Sequence, residues 1–492
     1  MRLETLSAAV DGELRGDGSV EITDLAYDSR RAGPGTLFVC VHGETSDGHD
    51  FAPQVVAAGA AALVVERPLE LGVPELRVPG ARAAMAPLAA CFHGDPTAEL
   101  RVAGITGTNG KTTTAFLLRE ILEAAGTPTG LLGTVKQVVG GAESEVVRTT
   151  PEAIDLQATF RAMLDAGDRA CVMEVSSHAL ALRRTAEIRF EVAVFTNLTQ
   201  DHLDFHADMD DYFAAKRLLF APADGEPPSA AIVNADDPYG GRLAAELEDA
   251  TTFSAEGADA DFRAADVSFD AAGARFRCLA PGDEAEVSLP IPGHFNVANA
   301  LGAIAAAAAL GVGLDDAARA LGSAARVPGR LEPIDTGQEF PVLVDYAHTP
   351  DSLDNVLRAA RRLTDRRLVC VFGCGGDRDR DKRPLMGGIG AELADVAIVT
   401  SDNPRSEDPG AIIDEILAGI EGGGDAEGVV VQADRRAAIR VALERAEPGD
   451  VVVIAGKGHE QGQEFEGGRK IPFDDREVAR DELGRLAAGA AP

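Results

Sequence analysis

Residues 101–126 read RVAGITGTNGKTTTAFLLREILEAAG, and this stretch decides the fold class. An apolar run leads into Gly107-Thr108-Asn109-Gly110-Lys111-Thr112-Thr113. Beyond it Phe116, Leu117, Leu118, Ile121, Leu122 and Ala125 fall on one broad helical face, and Gly126 supplies a stop. Strand, glycine-rich loop and helix in that order make a phosphate cradle. Glycines let backbone N–H groups close on phosphate oxygens, and the helix N-terminus adds a favourable dipole. Lys111 is expected to reach the outer phosphates of ATP, and the Thr112 hydroxyl to ligate Mg²⁺. The general pattern carries a further glycine where this chain has Ile105, so the loop is a shortened G-x-x-G-K-T-T variant.

The flanks of this loop extend the same architecture. Apolar runs at 170–175, 191–196 and 230–234 read as further strands, followed by an Ala-rich helix from about 297 to 310. Before the loop, strand-like runs at 36–41 and 62–65 lie among Gly/Pro-rich turns, and HGDPTAEL (93–100) closes that block. After RVPGR (326–330), strands PVLVDY, LVCVF, VAIVT and VVVIAG alternate with helical segments, the signature of a parallel sheet. The fold class is therefore α/β in three domains: a small N-terminal domain over 1–98, a central P-loop domain with a mainly parallel sheet over 99–328, and a Rossmann-like domain over 329–492. Glu174, Asn197, Asn234, Asp345, Asp402 and Gly456 each fall at or just past the carboxyl end of a strand, where open α/β sheets bind ligands.

The bulk properties agree with this division. At ~150 residues per domain, 492 residues suggest about three domains. A formal net charge of −34 excludes a nucleic-acid partner, which requires a basic face. An anionic nucleotide must then be met by local cations and backbone N–H groups. The N-terminus MRLETLSAAV lacks the basic and apolar regions of a leader, and the stretch 303–310 is too short to span a bilayer. A cytoplasmic, monomeric protein is expected, with no membrane insertion. The six cysteines lack zinc-site spacing and read as reduced, mostly buried thiols.

Phosphoryl transfer also needs metal ligands. Glu174, in MEVSSHAL, ends a buried strand and is a natural Mg²⁺ ligand. TNLTQDHLDFH (196–206) supplies Asn197, Asp201, His202 and His206, and VNADDP (233–238) offers Asn234, Asp236 and Asp237 to a nucleotide. A histidine here taken alone would be a solvated or capping residue; in this company a place in the crevice is the better reading.

The motifs GTNGKTT, MEVSSHAL, TNLTQDHLDFH, DYFAAKRLLF, NADDP, GHFNVANALGA, GRLE and DYAHTPDSL occur in the order found in the Mur ligases, and the resemblance runs through essentially the whole chain. That family joins amino acids to UDP-linked peptidoglycan precursors. DSRRAGPGTLFVCVHGETSDGHDF resembles the UDP-binding domain of the members acting at the third-residue step. The resemblance implies that Ser29 contacts the UDP-sugar and that Thr149, Thr150, Ser176 and Arg184 contact the muramoyl-dipeptide. It places Glu174, His202 and Lys216 at the metal and phosphoryl-transfer site, with Lys216 carbamylated into an Mg²⁺ ligand. Read alone, that lysine is a surface residue of a helix. Asn299, Arg330, Asp345 and His348 would complete the ATP site. Leu182 and Glu44-Thr45-Ser46 depart from the residues some members use to contact substrate.

The third block carries the amino-acid choice. Asp402-Asn403-Pro404-Arg405 follows VAIVT, with Arg378 upstream and AGKGHE (455–460) downstream. Meso-diaminopimelate and L-lysine differ chiefly in one distal carboxylate, and an arginine at 405 can hold a carboxylate bidentately. DNPR resembles the diaminopimelate-adding members. Arg378, Asn403, Arg405, Gly456 and Glu460 would then hold the amino acid, with Glu460 partnering its distal ammonium. The expected reaction joins diaminopimelate to the D-Glu γ-carboxylate of UDP-MurNAc-L-Ala-D-Glu through an acyl phosphate. A lysine-adding enzyme, a folylpolyglutamate synthetase and a P-loop ATPase switch stand as alternatives.

Overall fold

Runs of β-branched and aliphatic residues form the strands, and their period of two sends alternate side chains to opposite faces. The computed structural model describes residues 1–43, 46–270, 272–423 and 426–489. Glu44 and Thr45 therefore lie outside the described residues. The chain packs as two units: residues 1–104, 126–193 and 215–229 make one, and 105–125, 194–214 and 230–492 the other.

The first unit holds a five-stranded sheet in the order Glu13–Arg15, Glu75–Arg77, Ala62–Val65, Thr36–Val39, Asp24–Ala26. Its first pair is antiparallel and the rest are parallel. Leu37, Val39 and Val64 share a core with Met85 and Leu88 of the helix Ala81–His93, while Phe38, Leu63 and Val65 point the other way onto Ala52 and Val55. The same unit contains the parallel pair Thr129–Leu132 and Ala170–Glu174, continued by the antiparallel strands Gln137–Val139 and Ala142–Ser144.

In the second unit the phosphate-loop helix Lys111–Ala124 packs on the helix His294–Ala309, which begins three residues earlier than its alanine run suggests. Strands Ala230–Asn234, Ala250–Ser254 and Phe262–Asp270 run parallel, and Gly273–Ala280 and Asp283–Leu289 extend them antiparallel. These last strands expose every second residue or so, and their few apolar positions hid them in the sequence. A six-stranded sheet follows, ordered Glu332–Ile334, Val342–Asp345, Val451–Ala455, Leu368–Phe372, Val396–Val399, Val429–Val431. Only its first pair is antiparallel. Leu343, Cys370 and Val453 face one core, and Val344, Val371 and Ile454 the other. A hairpin, Gly462–Phe465 with Arg469–Pro472, stands beside this sheet.

The α/β class with mainly parallel sheets is thus as the sequence implied. All six cysteines are free, and burial pushes the thiols of Cys40, Cys278, Cys370 and Cys374 up to about 12, which makes them poor nucleophiles. Among the described residues no helix is long and apolar enough to cross a membrane.

Candidate active site

The phosphate loop takes its shape from two glycines. Gly107 (φ +151°) and Gly110 (φ +87°) occupy backbone regions that side chains resist, and a Cβ on either would collide with a neighbour, Thr196 Oγ1 in one case and Asn299 Oδ1 in the other. The segment 196–199 supports the loop from beneath. Thr108 N donates to Asn197 O (2.9 Å), Asn109 N to Asn197 Oδ1 (2.9 Å), and Thr196 Oγ1 to Asn109 O (2.6 Å). Asn197 and Thr196 therefore hold the loop in place. Lys111 Nζ folds back onto the carbonyls of Gly107 (2.7 Å) and Thr108 (2.8 Å). Arg330 Nη2 donates to the Thr112 hydroxyl (3.0 Å), its guanidinium lying over the Tyr346 ring at 4.8 Å.

A cavity of about 650 Å³ opens beside the loop, lined by Asn109, Gly110, Thr113, Asn234, Asn299, Arg330 and Asp345 among others. Its size suits a nucleotide. Asn299 donates to Asn296 (3.1 Å) and accepts from Thr114 (3.4 Å), which fixes the carboxamide below Gly110. Asp345 accepts from the N–H groups of Leu331 (2.6 Å) and Ala347 (2.8 Å), and burial raises its carboxyl above the ordinary value. His348 Nδ1 lies 2.8 Å from Tyr346 O, so this nitrogen carries the proton. Burial, reinforced by the Lys382 charge, lowers that imidazole to about 4 and keeps it neutral at pH 7.

Other acidic and imidazole groups of this unit are occupied structurally. Asp236 accepts from Ser254 Oγ (2.6 Å) and Ala255 N (2.7 Å), while Asp237 caps the helix Pro238–Glu246 and accepts from Leu198 N (3.1 Å). They shape the cavity wall. His206 is buried and stacks on Tyr212 at 4.9 Å, so it acts in packing. His202 holds a left-handed conformation (φ +56°) beside Asp201, 3.4 Å away.

In the first unit the residues expected at the dipeptide converge. Thr150 Oγ1 donates to Glu174 O (2.9 Å) and accepts from Ser176 N (3.1 Å); Arg184 Nη1 donates to Thr150 O (3.3 Å). Thr134 donates to both oxygens of Glu174, through its N–H (2.8 Å) and its hydroxyl (3.0 Å), and meets Thr149 Oγ1 at 3.0 Å. Glu152, a buried carboxylate, faces Arg82 (3.1 Å), Arg148 (3.7 Å) and Arg184 (2.9 Å). Ser29 sits in the turn between Tyr27 and Arg31, which both bond Asp155 of the helix Ala153–Ala166 (2.6 and 2.7 Å). Lys216, near the end of the helix Met209–Arg217, is 1% exposed, so it is no surface lysine.

The residues read as amino-acid ligands form a third group. Asn403 Nδ2 donates to Glu460 Oε2 (2.8 Å). Arg405, in the left-handed region (φ +52°), donates from Nε to Glu464 Oε2 (3.0 Å) and from Nη1 to Gly376 O (2.8 Å). Gly375 leaves room for two arginines: a Cβ there would stand 3.0 Å from Arg405 Nη1 and 3.9 Å from Arg378 Cγ. Arg378 itself is exposed and donates to the Asp377 carbonyl (2.7 Å). Pro404 is buried, and its carbonyl lies against Gly376. Gly456 (φ +121°) presses on the Asp402 carboxylate. Burial opposes the ionisation of Asp402, but the charges of Lys457 and Arg435 hold its carboxyl below the ordinary value.

Sequence reasoning missed Thr134, Glu152, Lys457 and Glu464. Thr134 follows the strand Thr129–Leu132 and could have been found by the same strand-end rule that found Glu174. Lys457 carries a signal in the glycines on either side of it. Glu464 carries none, because a charged residue on a short, half-buried hairpin strand is ordinary.

Comparison with known proteins places these groups in context. The Mur ligase family catalytic domain matches residues 21–93, the Mur ligase middle domain 105–307, and the Mur ligase glutamate ligase domain 329–458. A UDP-N-acetylmuramoyl-L-alanyl-D-glutamate--2,6-diaminopimelate ligase of Gloeobacter violaceus is 48% identical over 489 residues, 99% of this chain and 98% of that protein. The protein of that name from Streptomyces coelicolor is 48% identical over 477 residues, covering 95% and 93%. A solved structure of a ligase of that name superposes with a TM-score of 0.67 at 32% identity, covering 99% of this chain and all (100%) of the other. A folylpolyglutamate synthase of Mycobacterium tuberculosis matches at 21% identity and TM-score 0.62 over 84% of this chain and 95% of its own, a likeness of fold alone.

Proposed function

The chain belongs to the Mur ligase family, and on that premise we propose that it is the ATP-dependent ligase adding meso-2,6-diaminopimelate to the D-Glu γ-carboxylate of UDP-MurNAc-L-Ala-D-Glu, through an acyl phosphate, in peptidoglycan precursor synthesis. The observation that carries the choice of amino acid is Arg405. Its Nε and one Nη1 proton are engaged, which orients the guanidinium and leaves the Nη1–Nη2 end for a carboxylate. Among the described residues Glu460 has only its Oε2 in side-chain hydrogen bonds, which leaves Oε1 for an ammonium. A diamino dicarboxylic acid satisfies both groups, and lysine leaves the arginine unused.

We assign the UDP-precursor to 1–98, ATP to 99–328 and the amino acid to 329–492, in a monomeric cytoplasmic enzyme. The γ-carboxylate and the triphosphate are both anions, so the loop N–H groups and Lys111 must neutralise charge as they are aligned. On binding, phosphate oxygens replace the loop carbonyls as partners of Lys111. Thr149, Thr150, Ser176 and Arg184 orient the dipeptide, and neutral His348 adds no competing charge.

Thr112, Glu174, His202 and Lys216 are the residues that would hold Mg²⁺. Among the described residues no group of three or more His, Cys, Asp or Glu side chains is arranged to hold a metal ion. Bound there, the ion offsets phosphate charge. Thr134 holds Glu174 by one bond to each oxygen. Carbamylation would give buried Lys216 anionic oxygens to offer the ion.

The test is ADP release by the purified chain with UDP-MurNAc-L-Ala-D-Glu and meso-diaminopimelate, L-lysine or no amino acid. Turnover should require the precursor and prefer diaminopimelate. Equal use of L-lysine would favour the lysine-adding reading, and equal release without either substrate would make the chain an ATPase switch.

A further inference from the structure

The segment Gly456-Lys457-Gly458 follows the strand Val451–Ala455 and is built to bury a lysine. Gly456 and Gly458 have φ of +121° and +55°, and a Cβ on Gly458 would meet Tyr346 Cβ at 2.8 Å and Gly329 O at 2.9 Å. This tight course turns the Lys457 side chain under the sheet end, where it is 0% exposed. An ammonium so placed is costly unless fully partnered. Its Nζ donates to Asn403 Oδ1 (2.7 Å) and Glu460 Oε2 (2.9 Å), and Asp402 Oδ1 lies at 3.7 Å.

These contacts act together with the Glu464 N–H to orient the Asn403 carboxamide. A carboxamide can rotate by half a turn and exchange its oxygen for its nitrogen. Here both Lys457 Nζ and the backbone N–H of Glu464 (3.0 Å) donate to the same end of Asn403, so that end must be the oxygen. Nδ2 is thereby aimed at Glu460, and Glu460 Oε2 receives Asn403 and Lys457 together. The carboxylate cannot swing away, and its Oε1 is left for a cation. Without the lysine, the Glu464 N–H is left to hold the Asn403 oxygen, and Glu460 Oε2 keeps Asn403 as a donor but loses the ammonium, so both groups are held less firmly.

We propose that Lys457 is a positioning residue for the amino-acid substrate, locking the Asn403 carboxamide and the Glu460 carboxylate in the one arrangement that receives the distal ammonium of a diamino dicarboxylic acid. The proposal rests on the ligand reading given above. It differs from a plain anchoring role in its kinetic signature, because its loss falls on one substrate.

The experiment compares K457M and K457Q with the wild type in steady-state KM for diaminopimelate, ATP and UDP-precursor, with Tm measured alongside. K457M should raise the diaminopimelate KM at least tenfold and leave the other two within twofold. K457Q keeps one donor for Asn403 and no charge for Glu460, and should fall between. Should K457M fail to fold, K457Q decides: a rise of threefold or more confined to diaminopimelate supports the proposal. A diaminopimelate KM unchanged in a folded variant overturns it, as does a proportionate rise in all three KM values with a lowered Tm. Wild-type enzyme that does not turn over diaminopimelate sinks the ligand reading itself, whereas wild-type turnover with unmoved variants sinks only the role of Lys457.

Discussion

At the scale of single residues, the informative side chains are those held by several partners at once. Arg405 is fixed by Glu464 and by the Gly376 carbonyl, so the end proposed to receive a carboxylate is set before substrate arrives. Charge-assisted hydrogen bonds of this kind contribute about 1.5–3 kcal/mol each, so R405A should raise the diaminopimelate KM roughly 10- to 100-fold with the ATP KM unchanged, as steady-state kinetics will read. Arg383 is a buried guanidinium bonded to Glu407 (2.7 and 2.9 Å) and Glu415 (2.7 Å). The hydrogen bonds from Arg383 lower the Glu407 carboxyl from 4.5 to about 2. A depressed folded value stabilises the protein fully above 4.5 and loses that contribution as pH falls toward 2. E407Q should therefore lower Tm at pH 7 and flatten its decline between pH 4.5 and 2, measured at constant ionic strength. The sequence marked Arg405 through its four-residue turn. It could not mark Arg383, whose importance comes from burial.

At the scale of elements, the strand–loop–helix at 101–126 was legible because its signal is local: apolar runs of two periods separated by glycines at fixed spacing. What fixes the loop is remote in sequence. Gly110 packs against Asn299, and the loop N–H groups rest on Asn197. G110A must displace the Asn299 carboxamide and strain a left-handed backbone, at about 1–3 kcal/mol. It should weaken nucleotide binding at least tenfold in calorimetry while leaving the UDP-precursor affinity intact. The antiparallel strands 262–289 and the hairpin Gly462–Phe465/Arg469–Pro472 went unread. Their exposed faces carry polar residues, so neither has a continuous apolar run, and they form because neighbouring strands offer unpaired edges and loops.

At the scale of the whole molecule, the charge of −34 is the dominant fact. Self-repulsion of this size destabilises a compact state, and salt screens it within a Debye length of about 8 Å at physiological ionic strength. Raising KCl from roughly 0.05 to 0.5 M should increase Tm in calorimetry; a decrease would mean that the surface ion pairs, such as Arg30–Asp28 and Arg358–Asp354, outweigh the repulsion.

The sequence by itself determined the α/β class, the nucleotide loop and the strand ends at which polar groups gather, because periodicity, glycine placement and strand polarity act over a few residues. Only the tertiary structure decided which of those groups have lone pairs and protons to spare. Asp236, Asp237 and His206 proved to be engaged in holding the chain. Lys457, unmarked at first, is buried and bonded to both Asn403 and Glu460. Hydrogen-bonding capacity is finite, and what a side chain has left for a substrate depends on partners brought from anywhere in the chain.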